Sequence, residues 1–141
     1  MPVRALDHVA LTVADVERTL RFYERVLGAE PLFEDLFRAG TVGVAMLQVG
    51  ASRLSVHPAA KPVVPHAAAP APGSADLCFR FDGPIVQAEA LLRAAGVAVE
   101  LGPVARVSAD GLPARSVYFR DPDGNLLELL STDGASGHEA A

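Results

Sequence analysis

VYFRDPDGNLLELL, residues 117–130, decides how the rest of the chain is read. Two short apolar strands flank Asp121-Pro122-Asp123-Gly124, where proline fixes φ, glycine supplies a positive φ and the aspartates can bond nearby backbone N–H groups. Side chains alternate along the outgoing strand, so Leu126, Glu128 and Leu130 share one face and Leu127 and Leu129 the other. An ionised carboxylate among leucines is costly unless it reaches water, is paired or binds a metal. Glu128 is therefore the first candidate functional residue.

Working outward, Leu6–Val13 alternates as a half-buried strand, with Leu6, His8, Ala10 and Thr12 on one face and Val9, Leu11 and Val13 on the other. Asp15 is placed to cap a helix whose face carries Val16, Leu20, Tyr23 and Leu27, and Gly28 is its stop. Glu30–Phe37 is expected to be a weakly patterned strand. Val42–Val49 and Ser52–His57 form a hairpin across Gly50-Ala51, with Arg53, Ser55 and His57 on one face of its second strand. The proline- and alanine-rich stretch Pro58–Ser74 reads as an extended connector, and its His66 as a loop histidine. Asp76–Phe81 resumes alternation, setting Asp76, Cys78 and Arg80 opposite Leu77, Phe79 and Phe81. Ile85–Ala95 is a second amphipathic helix ended by Gly96. Val97–Leu101 reads as a short strand, Gly102–Ala114 as a loop, and Arg115–Arg120 as the way into the opening hairpin. The tail from Asp133 is expected to fray.

The halves match. His8 to Gly28 and Asp76 to Gly96 span 20 residues each, and Gly50 to His57 and Asp121 to Glu128 span seven each. The chain is thus predicted to be α+β: two β-α-β-β-β modules forming a curved, cup-shaped mixed sheet. One domain is expected, with module one at about 5–57, the connector at 58–74, module two at about 75–132 and the tail at 133–141. His8 and Asp76 fall on matching first strands, His57 and Glu128 on matching last strands. Each alone has an ordinary explanation: a strand histidine, a capping aspartate, a strand-end histidine before Pro58, a rim glutamate. Together, two imidazoles and two carboxylates on the polar faces of equivalent strands make a site for one divalent transition metal per chain, with zinc, nickel, iron, manganese and cobalt all open.

LDHVALTV, the FYERVLG helix end and VYFRDPDGNLLEL resemble the vicinal oxygen chelate superfamily, which includes glyoxalase I, extradiol ring-cleavage dioxygenases, and fosfomycin- and bleomycin-resistance proteins. The resemblance covers about residues 5 to 132. RLSVH, PAPGSADLCF and GPVAR are similar to the branch called glyoxalase-domain-containing protein 5. It implies a substrate held through two vicinal oxygens, and it places the four ligand positions on His8, His57, Asp76 and Glu128. Asp76 departs from the histidine of the ring-cleavage enzymes. Glyoxalase-like proton shuttling falls to Glu128 as base, with Tyr118 beside it as a hydrogen-bonding or lining residue. Arg53 and Arg80 are candidate substrate binders or exposed surface residues. Thr12 stands where an arginine holding glutathione is expected, which argues against glutathione. Lyase or isomerase chemistry is the first expectation. A ring-cleavage-type dioxygenase and a non-enzymatic drug-binding protein are the alternatives, and pairing of modules across chains implies a homodimer.

Composition fits these expectations. Lys and Arg number 12 against 17 Asp and Glu, a net charge of −5 with no basic run, which argues against nucleic acid and anionic membranes as partners. No signal-peptide pattern opens the chain and no apolar run is long enough to span a bilayer, so a cytoplasmic location is expected. The one cysteine, Cys78, is expected to be a buried thiol.

Overall fold

A computed structural model of the chain describes residues 1–135; the frayed tail expected from Asp133 falls mostly outside the described residues. The chain divides into two compact units, Met1–Ser74 and Ala75–Ala141. The first contains β1 (Val9–Val13), α1 (Val16–Leu27), β2 (Glu30–Leu32), α2 (Glu34–Arg38), β3 (Ala45–Val49) and β4 (Ser52–Pro58). The second contains β5 (Asp76–Arg80), α3 (Ile85–Ala94), β6 (Leu101–Val107), β7 (Pro113–Arg120) and β8 (Leu126–Ser131). Each unit carries a four-stranded sheet of the same plan, β1-β4-β3-β2 and β5-β8-β7-β6. In each, the first strand lies parallel to the last, and the remaining pairs are antiparallel.

In the first unit, α1 forms as its punctuation requires. Asp15 is extended at φ −139 and its carboxylate accepts from the Arg18 amide at 3.1 Å, while Gly28 closes the helix at φ 64, where a Cβ is disfavoured. Val16, Leu20 and Tyr23 are buried, as are Leu11, Val13, Leu47, Leu54 and Val56 on the sheet. In the second unit, α3 buries Ile85, Ala88 and Leu92, and Val117, Phe119, Leu127 and Leu129 form the apolar side of the sheet. Burial of each such Leu, Ile or Phe contributes about 1.5–3 kcal/mol.

Three expected elements are corrected. Glu30–Phe37 is a three-residue strand followed by α2, because Phe33 takes a left-handed conformation (φ 60) that no strand tolerates. Arg38 then binds Glu17 at 2.8 Å and also Glu34, which Arg21 reaches as well, so ion pairs tie α2 to α1. The expected strand 97–101 begins only at Leu101, and residues 102–107 of the expected loop continue it as β6. The irregularity is local: the β6–β7 register shifts between Leu101 and Val104, at Gly102 (φ 112).

Candidate functional site

The registers place the candidate residues. In the first unit Ala10 pairs with Ser55 and Thr12 with His57; in the second Cys78 pairs with Glu128. Asp76 opens β5, two residues before Cys78; His8 lies two residues before Ala10, just ahead of β1 and not within the strand expected from Leu6, so the two hold matching places by register. The equivalent of Glu128 is Ser55, and His57 lies two residues further along the same face. The imidazole makes up that distance: its Nε2 stands 2.8 Å from Ser55 Oγ. A nitrogen from His57 thus reaches the place that the register gives to Ser55.

Both imidazoles suit a metal. The ring of His57 is held neutral, its pKa lowered by burial and secondarily by His8, and a ligand must be deprotonated. His8 Nδ1 lies 2.9 Å from a carboxylate oxygen of Asp7, which can only accept, so Nδ1 carries a proton and Nε2 is the nitrogen left to face a metal. Asp76 is exposed at the start of β5, and Glu128 is half-buried on β8. The donor set fits a divalent metal of borderline character. His8 and His57 belong to the first unit and Asp76 and Glu128 to the second, and among the described residues no group of three or more His, Cys, Asp or Glu side chains is gathered to hold a metal.

Glu128 has two strand neighbours on its face. Tyr118 is its direct partner on β7 and Cys78 its partner on β5. Cys78 is exposed, against the buried thiol expected from its apolar surroundings. Enough protein still encloses the sulfur that burial, followed by the charge of Glu128 and a hydrogen bond to it, pushes the thiol up to about 12. Cys78 is therefore a protonated donor to Glu128 and not a thiolate. The Tyr118 hydroxyl accepts from Arg106 Nε at 2.9 Å, and the guanidinium lies over its ring, 5.4 Å from the centroid. Sequence reasoning missed Arg106 because it assigned the residue to a loop: Gly102 and Pro103 read as breakers and hid the strand that carries it.

The two arginines singled out from the sequence are both tethered and exposed. Arg53 Nε donates to Gln48 at 2.7 Å, and Arg80 reaches Asp110 at 3.4 Å and Thr132 at 3.3 Å. The turn before Glu128 is built as its residues require. Asp121 accepts from the amides of Asp123 and Asn125 at 2.9 and 3.0 Å, and Asn125 Oδ1 accepts from Ala75 N at 2.9 Å. That last bond holds the residue next to Asp76 against the turn that leads to Glu128.

Two units of one sheet plan, each with its first strand parallel to its last, define a class of duplicated α+β folds, and the chain belongs to one family of it. Residues 5–129 match the Glyoxalase/Bleomycin resistance protein/Dioxygenase superfamily. The virulence protein STM3117 of Salmonella typhimurium is 39% identical over 129 residues, which cover 92% of this chain and 85% of that protein. Its crystal structure matches with a TM-score of 0.82 over 93% of this chain and 98% of that one. The glyoxalase domain-containing protein RDO1 of Mycosarcoma maydis is 38% identical over 135 residues, 96% of this chain and 72% of the relative. More distantly, a variant of the fosfomycin resistance protein FosX of Listeria monocytogenes, solved with Mn(II), shares the fold at 19% identity and a TM-score of 0.60, covering 90% of this chain and 89% of that one. Among the described residues no helix is long and apolar enough to cross a membrane.

Proposed function

We propose that the protein is a metal-dependent glyoxalase-like enzyme of lyase or isomerase type, acting on a small molecule that presents two vicinal oxygens. The observation that carries this reading is the pair of equivalent donor positions: His8 with the His57 nitrogen beside Ser55 in one unit, Asp76 with Glu128 in the other. The four close on one divalent transition metal per chain, within one chain or between two copies of a homodimer in the cytoplasm. Such an ion supplies Lewis acidity to the two oxygens of the substrate. Glu128 takes a proton from one carbon and returns it to its neighbour, with the Cys78 thiol donating to the carboxylate and fixing its orientation. Tyr118, held by Arg106, lines the substrate side of Glu128. Arg53 and Arg80 stand on the same faces as the donors and are the further cations available to an acidic substrate.

The test begins with metal analysis of protein purified without chelator, where about one divalent transition metal per chain is expected. Turnover is then screened with thiol–aldehyde adducts and catechols, with and without oxygen. Oxygen-independent turnover of an adduct supports the reading, and oxygen uptake on a catechol replaces it by a ring-cleavage-type dioxygenase. Metal-free protein that binds a drug in the bleomycin class without turnover makes it a binding protein.

A further inference from the structure

The connector after β4 does not run free of the first unit. The Ala59 amide donates to the Val13 carbonyl at 2.9 Å, and Val63 packs so close to Gly43 that a Cβ there would lie 2.9 Å from its Cγ2. The chain so held encloses a small pocket at the end of the β1–β4 pair. Thr12 and His57, direct register partners, form its floor. Pro58, Ala59, Pro62, Val63 and Pro70 form its walls, and His66 completes the rim. The enclosed volume is about 20 Å³, which is room for one water-sized or methyl-sized group.

Its chemistry is specific. No Asp, Glu, Lys or Arg lines it, so a charged group would enter without a counter-charge. Most of its surface is apolar, three prolines and Val63 among its lining, with the Thr12 hydroxyl available for one hydrogen bond. The His66 ring is fixed by Nδ1, which donates to the Ala67 carbonyl at 2.8 Å. Prolines keep the walls stiff, so the pocket is formed before anything enters it. The imidazole that forms its floor turns its Nε2 toward Ser55, so one ring separates the pocket from the donor set.

We infer that this pocket is the specificity subsite of the chain: it receives a short uncharged substituent, methyl to hydroxymethyl in size, carried next to the two vicinal oxygens of the substrate. The inference rests on the reading of His57 as a metal-site residue, and it makes the connector, with His66, the part of the chain that selects the substrate. Larger or charged substituents are refused by proline carbon that cannot retreat.

Two sets of probes test it. The first uses metal-free protein and 1-propanol, whose terminal methyl is the group of the right size, with the ring protons of His57 and His66 followed by NMR. Both rings are expected to shift together in the wild type and to stay still in Val63→Leu and Ala59→Val, which fill the pocket from different walls. Rings that do not move in the wild type overturn the inference, whatever the metal does. The second uses Ni- or Zn-loaded protein and hydroxamates, which chelate through two oxygens. Acetohydroxamate is expected to bind about 4-fold tighter than formohydroxamate, the gain of one buried carbon, and hexanohydroxamate, too long for the pocket, to lose that gain. The two filling variants should bind formohydroxamate as the wild type does and lose the 4-fold gain. Affinity that climbs steadily with chain length, or variants that keep the gain, overturn the subsite. If formohydroxamate itself fails to bind, the metal-site reading falls, and with it the subsite's link to substrate, while the propanol arm still decides whether the pocket takes an uncharged group.

Discussion

In the first unit β1 lies parallel to β4 with Ala10 beside Ser55, and in the second β5 lies parallel to β8 with Cys78 beside Glu128. The two backbones agree residue for residue at these points, yet the side chains that matter do not. Where one unit has alanine and serine, the other has a thiol bonded to a carboxylate. The first unit recovers a donor by leaning His57 back from two residues away. Their turns differ too: Gly50-Ala51 is a two-residue link held by one side-chain bond, from Gln48 Nε2 to the Gly50 carbonyl at 2.7 Å, whereas the second turn is locked by Asp121 and Asn125 together. Duplication has thus kept hydrogen-bond register, which every strand depends on, and let the donors move along the face. Side chains on one face are about 6.6 Å apart along a strand, within the reach of an imidazole.

The largest expected effect tests the second unit's thiol–carboxylate pair, which has no counterpart in the first. Cys78 is exposed but its pKa is near 12, so alkylation by iodoacetamide at pH 8 should run about 100-fold slower than for free cysteine. Glu128→Gln should speed it, without reaching the free rate because burial remains. An alkylation rate equal to that of free cysteine in the wild type would remove the pair.

Gly102→Ala comes next. Its φ is 112 and a Cβ would lie 2.4 Å from the Ser116 carbonyl oxygen, so a loss of about 2–4 kcal/mol is expected, seen as faster hydrogen exchange in the second unit. Gly50→Ala, with φ 55 and open space around it, should cost only about 1 kcal/mol in the first. Equal costs would mean that the β6–β7 irregularity is as forgiving as a plain hairpin turn.

If the two units contribute equally to one metal, Asp76→Ala and His8→Ala should each lower metal affinity by about 10–100-fold or more. Glu128→Gln should weaken it more than His66→Ala, which leaves the four donors intact. Competition titration with a metal indicator reads all four variants. Unchanged affinity in Asp76→Ala, with oxygen-dependent turnover, would shift the chemistry to the oxygenase alternative.

The smallest effect concerns acid. Arg38 donates to Glu17 in the first unit and Arg120 to Glu100 in the second, and each carboxyl is held below its ordinary range. Such groups contribute stability above their unfolded pKa, about 4.3, and lose it as pH falls through the lower folded value. Both pairs are exposed, so the effect should be slight and should vanish in high salt. Thermal melts from pH 5 to pH 3 should show Arg38→Gln and Arg120→Gln flattening the slope alike.

Much of this was legible in residues that punctuate the chain. Asp15 and Gly28 marked α1, and Asp121-Pro122-Asp123-Gly124 marked the last hairpin, because caps and turns depend on local chemistry. Phe33 was not legible, since a left-handed phenylalanine has no local signature and is held there by its surroundings. Neither was β6, because Gly102 and Pro103 read as breakers while the sheet absorbs them in a bulge. His57 matched Glu128 by counting seven residues from Gly50 and from Asp121. Those starting points are unlike: Gly50 lies inside its turn, whereas Asp121 closes its turn by bonding Asn125. Arg106 and the exposure of Cys78 depended on strand pairing that no single segment announces.

Pairing of first strand with last also sets a timetable. Among the described residues, the strand that begins each unit has its only sheet neighbour in the strand that ends it, so neither sheet can close until its final strand has left the ribosome. The first unit is complete once Pro58 and the connector are made, and every pairing in it is satisfied without any residue from 75 onward. The second opens at Ala75 and waits for Ser131. Synthesis therefore delivers the histidine pair in a finished half before the carboxylate pair has begun to assemble.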